Sequence, residues 1–240
     1  MKQHNFIVGP CDTDSISFCK SDMTPYSEEE LDNLLKQINE ISPDFIEWES
    51  DGYYKKCLVL KAKNYVLVDF NNKKTTKGSS LIDQKRPKIY LQFMEEVVDL
   101  LLDERPHEVN TLYKKYVKLA NNITDIEPWC KKLTITDKIL NCKGHEKLSK
   151  DQLKARGLRA NETKVYDALK GRHVQEGDKI YVYFQEDRSI ALLSDFNGNY
   201  SKLDMIKGLY SCLKVFQNVL DISQFVNYSL KKNVKLIEEL

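Results

Sequence analysis

The sequence predicts an α+β fold: an antiparallel sheet with one covering helix, followed by a mainly helical region with a small β-hairpin insertion. Two observations lead there. Residues 6–70 carry short β-branched and aromatic runs broken by Asp, Asn and Gly, the signature of strands and tight turns. From Pro87 onward the apolar residues recur at helical spacing instead. That change in period places a domain boundary near 85, with one domain over 1–84 and a second over 85–240.

The chain is organised around Phe6 to Phe18, where an apolar run meets an alternating one across Asp12-Thr13-Asp14. A hairpin with two carboxylates at its tip can present both to a hard divalent cation. The same residues also suit plain turn chemistry, because Asp side chains hydrogen-bond nearby backbone. Ser27 followed by Glu28, Glu29 and Glu30 marks a helix start, and Leu31, Leu34, Leu35 and Ile38 give it an apolar face to lay on the sheet. Phe45–Glu49, Tyr53–Leu60 and Tyr65–Phe70 then read as three further strands of one sheet. On an extended strand Glu47, Glu49 and Asp51 would share a face. With Asp12 and Asp14 they could surround a metal, or they could simply solvate an outer face.

A polar basic loop is expected over 73–80. From 73 to 88 there are six basic residues and one acid, Asp83. Lys61-Ala62-Lys63-Asn64-Tyr65 lies just before it, and lysines beside an aromatic ring suit a nucleic-acid backbone, although a solvated lysine-rich hairpin would look the same. Pro87 opens a long helix through Leu102 and Pro106 another through Leu119. Farther on come a short strand at Leu133–Ile135, a short helix over 148–156, and a helix capped by Asn161. A hairpin of Gly177–Phe184 with Ile190–Leu193 follows, then helices over 202–219 and 223–239.

Composition excludes several classes. With 41% hydrophobic and 30% charged residues the chain is ordinary for a globular protein, and a net charge of +1 does not argue against nucleic acid, because patches and not totals attract phosphates. The six cysteines (11, 19, 57, 130, 142 and 212) form no Cys-x-x-Cys pair, which fits reduced thiols in the cytoplasm and no zinc site. There is no secretory or membrane-spanning stretch, no Gly-x-Gly-x-x-Gly and no Walker lysine. His4, His107, His145 and His173 are isolated, and Cys11 lacks a base.

Taken in order, these pieces resemble family B DNA polymerases. Cys11-Asp12-Thr13-Asp14-Ser15 resembles the family's third conserved motif, Tyr-Gly-Asp-Thr-Asp-Ser, on the palm hairpin. Ile46 to Lys56 is similar to the acidic palm strand, Lys63-Asn64-Tyr65 to the Lys-x-Tyr motif, and Lys77-Gly78 to the segment joining palm and thumb. Leu133–Thr136, Arg156–Asn161 and Val174–Val182 resemble thumb sequence, closest in character to T-even-phage polymerases. Pro10-Cys11 departs from the usual Tyr-Gly.

The resemblance implies a palm sheet over 1–84 and a thumb over 85–240. It implies Asp14 as principal metal ligand with Asp12 beside it, and Glu49 and Asp51 at the outer edge of a site for two Mg²⁺, or Mn²⁺ in their place. Lys63 and Tyr65 would grip the primer, while Lys77, Gly78, Lys85 and Arg86 would contact the duplex. Partners would be primer-template DNA, dNTP and a candidate sliding clamp, in the cytoplasm, or the host's cytoplasm for a viral protein. Because Asp12 lies so near Met1, the first-motif aspartate, the fingers and the exonuclease are expected on an N-terminal polymerase subunit, without which the chain would be inactive. The chain would then come from a split polymerase gene or be an excised fragment. A non-catalytic DNA-binding accessory protein and an Asp-x-Asp glycosyltransferase are the other classes considered.

Overall fold

The structure, a computed structural model, describes residues 6–143, 145, 148–237 and 239–240; His4 and the rest of the first five residues lie outside them. It is a mixed α+β fold with small antiparallel sheets. The chain divides into two compact units, residues 1–81 and 82–240.

The first unit opens with the expected hairpin, β1 (Phe6–Cys11) and β2 (Ile16–Lys20), paired from Phe6↔Lys20 to Cys11↔Ile16 with an irregularity between Val8 and Cys11. Phe6 packs on Phe18 at 5.5 Å and Phe18 on Tyr26 at 6.4 Å between ring centroids. Helix α1 (Glu28–Glu40) starts where the sequence places it. The Ser27 hydroxyl accepts from the Glu30 N–H at 3.1 Å, and the Glu30 carboxylate accepts from the Ser27 N–H at 2.8 Å. Lys20 Nζ also reaches Glu30, at 2.8 Å, which ties the hairpin to the helix start.

Four expectations for this unit need correction. Residues 45–54 form no strand, because their backbone is engaged elsewhere. The Trp48 N–H and C=O both bond the Asn39 carboxamide, at 2.7 and 2.9 Å, and the Ile46 N–H turns back to Pro43 O. The alternation of Glu47, Glu49 and Asp51 therefore defines no strand face. Nor is there one continuous sheet: β3 (Lys56–Lys61), β4 (Asn64–Val68) and β5 (Lys74–Lys77) make a second sheet in that order, separate from the hairpin. The basic stretch expected as a loop is strand β5, because Thr75 and Thr76 are β-branched and complete the ladder of β4. Its flanking lysines suit an edge. Helix α1, expected to cover a sheet, has no buried residue. The buried apolar residues of this unit are Leu60, Val66, Leu67 and Val68, around the central strand β4. Helix α2 (Ser79–Ile82) spans its last residues and the first of the second unit.

The second unit holds most of the core. Helices α3 (Lys88–Leu102) and α4 (Val109–Asn121) follow Pro87 and Pro106 as expected. Phe93 meets Tyr116 at 5.0 Å and Tyr113 at 6.3 Å. The next elements are β6 (Lys131–Thr134), α5 (Asp137–Leu140), α6 (Lys150–Ala155), α7 (Ala160–Leu169), β7 (Lys179–Phe184) and β8 (Ile190–Leu192). The expected hairpin insertion is a three-stranded sheet, since β6 pairs with β7 through Lys131↔Val182 to Thr134↔Lys179. Its buried face, with Ile135, Ile139, Val165 and Leu169, makes a core of its own. The cap of α7 is Arg159, whose N–H donates to Glu162, and not Asn161, which lies inside the helix. Helix α8 (Lys202–Leu213), capped by Ser201, packs on α3 and α4 and forms the first part of the helix expected over 202–219; beyond it 3₁₀ turns at Lys214–Phe216, Ile222–Gln224 and Lys231–Ile237 stand in place of its end and of the helix expected over 223–239. No helix of the described residues is long and apolar enough to cross a membrane.

Gly208, inside α8, has no room for a Cβ, because the Tyr90 ring lies against it; the Tyr90 hydroxyl donates to Met205 O at 3.0 Å. Gly208→Ala should therefore destabilise the second unit by about 1–3 kcal/mol although alanine is the better helix former, read as a lower urea midpoint with an unchanged slope.

Candidate nucleic-acid and metal site

The tip of the first hairpin is the four-residue loop Asp12–Ser15, closed by an Asp12 N–H bond to Ser15 O at 2.9 Å. The Asp12 carboxylate accepts from the Thr13 N–H at 2.8 Å and the Thr13 hydroxyl at 3.2 Å. Its other partner comes from the second sheet: Lys63 Nζ lies 2.8 Å away. That ammonium, first by its hydrogen bond, holds the Asp12 carboxyl below the ordinary Asp value. Reciprocally, Asp12 and then Asp14 push the Lys63 ammonium up. An ammonium thus already stands against the Asp12 carboxylate at the hairpin tip. Both side chains are exposed, so the pair is geometric information more than stabilisation.

Lys63 occupies the turn between β3 and β4 with φ +59°, a left-handed conformation unusual for a residue with a Cβ. Asn64, buried to 8% exposure, anchors that turn. Its Nδ2 donates to Ala62 O at 3.1 Å and its Oδ1 accepts from the Ser80 N–H at 3.0 Å. Gly78, at φ +92°, sits so close that a Cβ there would overlap the Lys63 carbonyl and the Asn64 carboxamide. Tyr65 on β4 pairs directly with Lys77 on β5. Lys63, Tyr65, Lys77 and Gly78 are therefore brought together, with Asp12 against Lys63.

The remaining candidates are placed elsewhere. Glu49 and Asp51 are exposed on the irregular segment 45–54. Among the described residues no three His, Cys, Asp or Glu side chains stand together as a metal site. In the second unit Lys85 is exposed, whereas the Arg86 guanidinium is half-buried, with Nη1 3.7 Å from Met94 Sδ and 3.6 Å from Cys212 Sγ. His107 is exposed beside Glu108. Sequence reasoning missed Asn64 and Ser80. The available signal was a turn-forming Asn flanking a lysine, and Gly-Ser-Ser as a helix start.

Because Asp12 titrates below its ordinary value of 3.8, its pairing is in place above that pH and is lost as pH falls through the lowered value. Lys63→Met should move the Asp12 carboxyl back up towards the ordinary value, as followed by carboxyl-carbon NMR titration. An unchanged Asp12 midpoint would refute the pairing.

No family model matches the chain, and no curated protein does. Among solved structures it is similar to the family B DNA polymerase from the hyperthermophilic archaeon Pyrobaculum calidifontis, with a TM-score of 0.66 and 17% sequence identity. The similarity covers 91% of this chain and 27% of that one, so the chain spans about a quarter of that polymerase, and the likeness establishes a family B polymerase-like fold.

Proposed function

We propose that this chain is the palm-and-thumb part of a DNA polymerase, with residues 1–84 as palm and 85–240 as thumb, acting with a polypeptide that supplies the rest of the site. The observation that carries this reading is the meeting of Asp12 with Lys63 inside a polymerase-like fold: a carboxylate tip and a cationic turn, far apart in sequence, face each other.

Asp12 and Asp14 offer hard carboxylate oxygens, and an ammonium already sits where positive charge is favoured, so these residues fit part of a Mg²⁺ or Mn²⁺ ligand set. When bound, such ions would activate the primer hydroxyl and neutralise charge on the triphosphate. The chain's own residues bind and orient. Asp12 and Asp14 hold the cations, Lys63 and Lys77 contact backbone phosphates, and the Tyr65 ring packs on a sugar. Glu49 and Asp51 would join the ligand set from a strand, a conformation that segment 45–54 lacks here.

Two observations support an N-terminal polymerase partner bringing the remaining palm carboxylate, the fingers and an exonuclease. The chain corresponds to 27% of the neighbouring polymerase. The first unit also buries few apolar residues, while Phe45 and Ile41 stay 87% and 84% exposed, as expected of an incomplete core. Primer-template DNA and dNTP are the substrates, and a sliding clamp is a candidate further partner.

Reconstitution tests this. The chain mixed with a polymerase segment carrying the missing motifs should extend a primer with Mg²⁺, and Asp14→Ala should lower the rate on the order of 10³-fold. Extension that survives the substitution, or extension by this chain alone, would overturn the assignment.

A further inference from the structure

The cationic turn has a feature that the polymerase reading does not use. Lys63 adopts a left-handed backbone that Gly or Asn would take at lower cost, yet the Asn is one residue later, with its side chain turned inward. Strained backbone persists only where its surroundings over-determine it. Here the surroundings are Asn64, bonded to Ala62 O and the Ser80 N–H, and Gly78, seated against the Lys63 carbonyl.

We propose that Asn64 is a positioning residue for nucleic-acid binding: its carboxamide fastens the Lys63 turn to the Gly78–Ser80 segment, so that Lys63 and Lys77 meet successive phosphates as one rigid pair. The inference rests on the proposed function, since it takes the lysines to bind a phosphate backbone. Asn64 touches no phosphate itself. It acts by fixing the spacing of the two ammonium stems, so that their freedom is restricted before binding and not at the moment of binding. Both its bonds go to backbone, one to the carbonyl just before Lys63 and one to the N–H two residues after Gly78. The joint therefore depends on the Asn64 carboxamide and on the absence of a side chain at Gly78, and not on the side chains of Ala62 or Ser80.

The test is binding of the full chain to a fluorescent primer-template duplex by anisotropy, over a series of KCl concentrations. Each phosphate contact contributes about one to the salt slope, so Lys63→Ala and Lys77→Ala should each lower it by about one. Asn64→Ala should weaken binding about tenfold and lower the slope by about one to two although both lysines remain. In a Lys63→Ala, Lys77→Ala background it should have no further effect. Ser80→Pro removes the N–H that Asn64 accepts from without touching the turn, and should reproduce the loss if Asn64→Ala does not fold. Wild-type affinity and slope in Asn64→Ala or in Ser80→Pro would overturn the inference, as would an equal loss in the double-lysine background. A wild-type chain that binds no duplex would instead overturn the proposed function beneath it.

Discussion

Residue 78 has no space for a side chain, because the Lys63 carbonyl and the Asn64 carboxamide fill the volume a Cβ would need. The arrangement of the first unit depends on this close approach. It draws the end of β5 against the β3–β4 turn and lets the Ser80 N–H reach Asn64. With that turn fixed, Lys63 extends to Asp12 on a hairpin that shares no strand pairing with it. An exposed, solvent-screened ion pair contributes little and could not hold two sheets in register alone. The backbone joint around Gly78 and Asn64 sets the position, and the ion pair reports it.

The two units differ in how they are stabilised. The second has interlocking aromatic contacts among α3, α4 and α8, with Tyr113 against Tyr210, Phe225 and Tyr228 at about 6 Å as well as Phe93, and a separate core under its three-stranded sheet. Its buried hydroxyls and thiols are correspondingly shifted: burial pushes Cys212 up to about 11 and Cys130 up to about 12, so neither serves as a nucleophile. The first unit relies on local devices: a capping box at Ser27, the Asn39–Trp48 amide pair, and the Tyr26 N–H bond to the Tyr53 hydroxyl at 2.6 Å. Such bonds fix local shape without much apolar burial, which suits a surface built around charge.

Much of this was legible in the sequence, and the failures have physical causes. The hairpin at Asp12, the helix after Ser27, the helices after Pro87 and Pro106 and the 179–192 hairpin all carry local signals: caps, prolines and alternation. Segment 45–54 has the aromatic composition of a strand, but the Asn39 carboxamide takes both backbone bonds of Trp48 within it. Lys74–Lys77 looks like a loop by charge and is a strand because β4 leaves a ladder to complete. Pairing partners and three-dimensional proximity are not written in local pattern. For the same reason the approach of Lys63 to Asp12 and the inward turn of Asn64 became visible only in the fold, as did the burial of Arg86 against sulfur.

In the function proposed above, the Asp12–Asp14 tip and the Lys63 turn form one cation- and phosphate-oriented site. Titrating the full, isotope-labelled chain with Mn²⁺ and following paramagnetic broadening of its amides tests this directly, because broadening detects weak binding by an incomplete ligand set. Selective loss of signal is expected at residues 12–15 and 62–64, removed by Asp14→Ala. Broadening centred instead on Glu49 and Asp51, or spread evenly over the acidic surface, would contradict it.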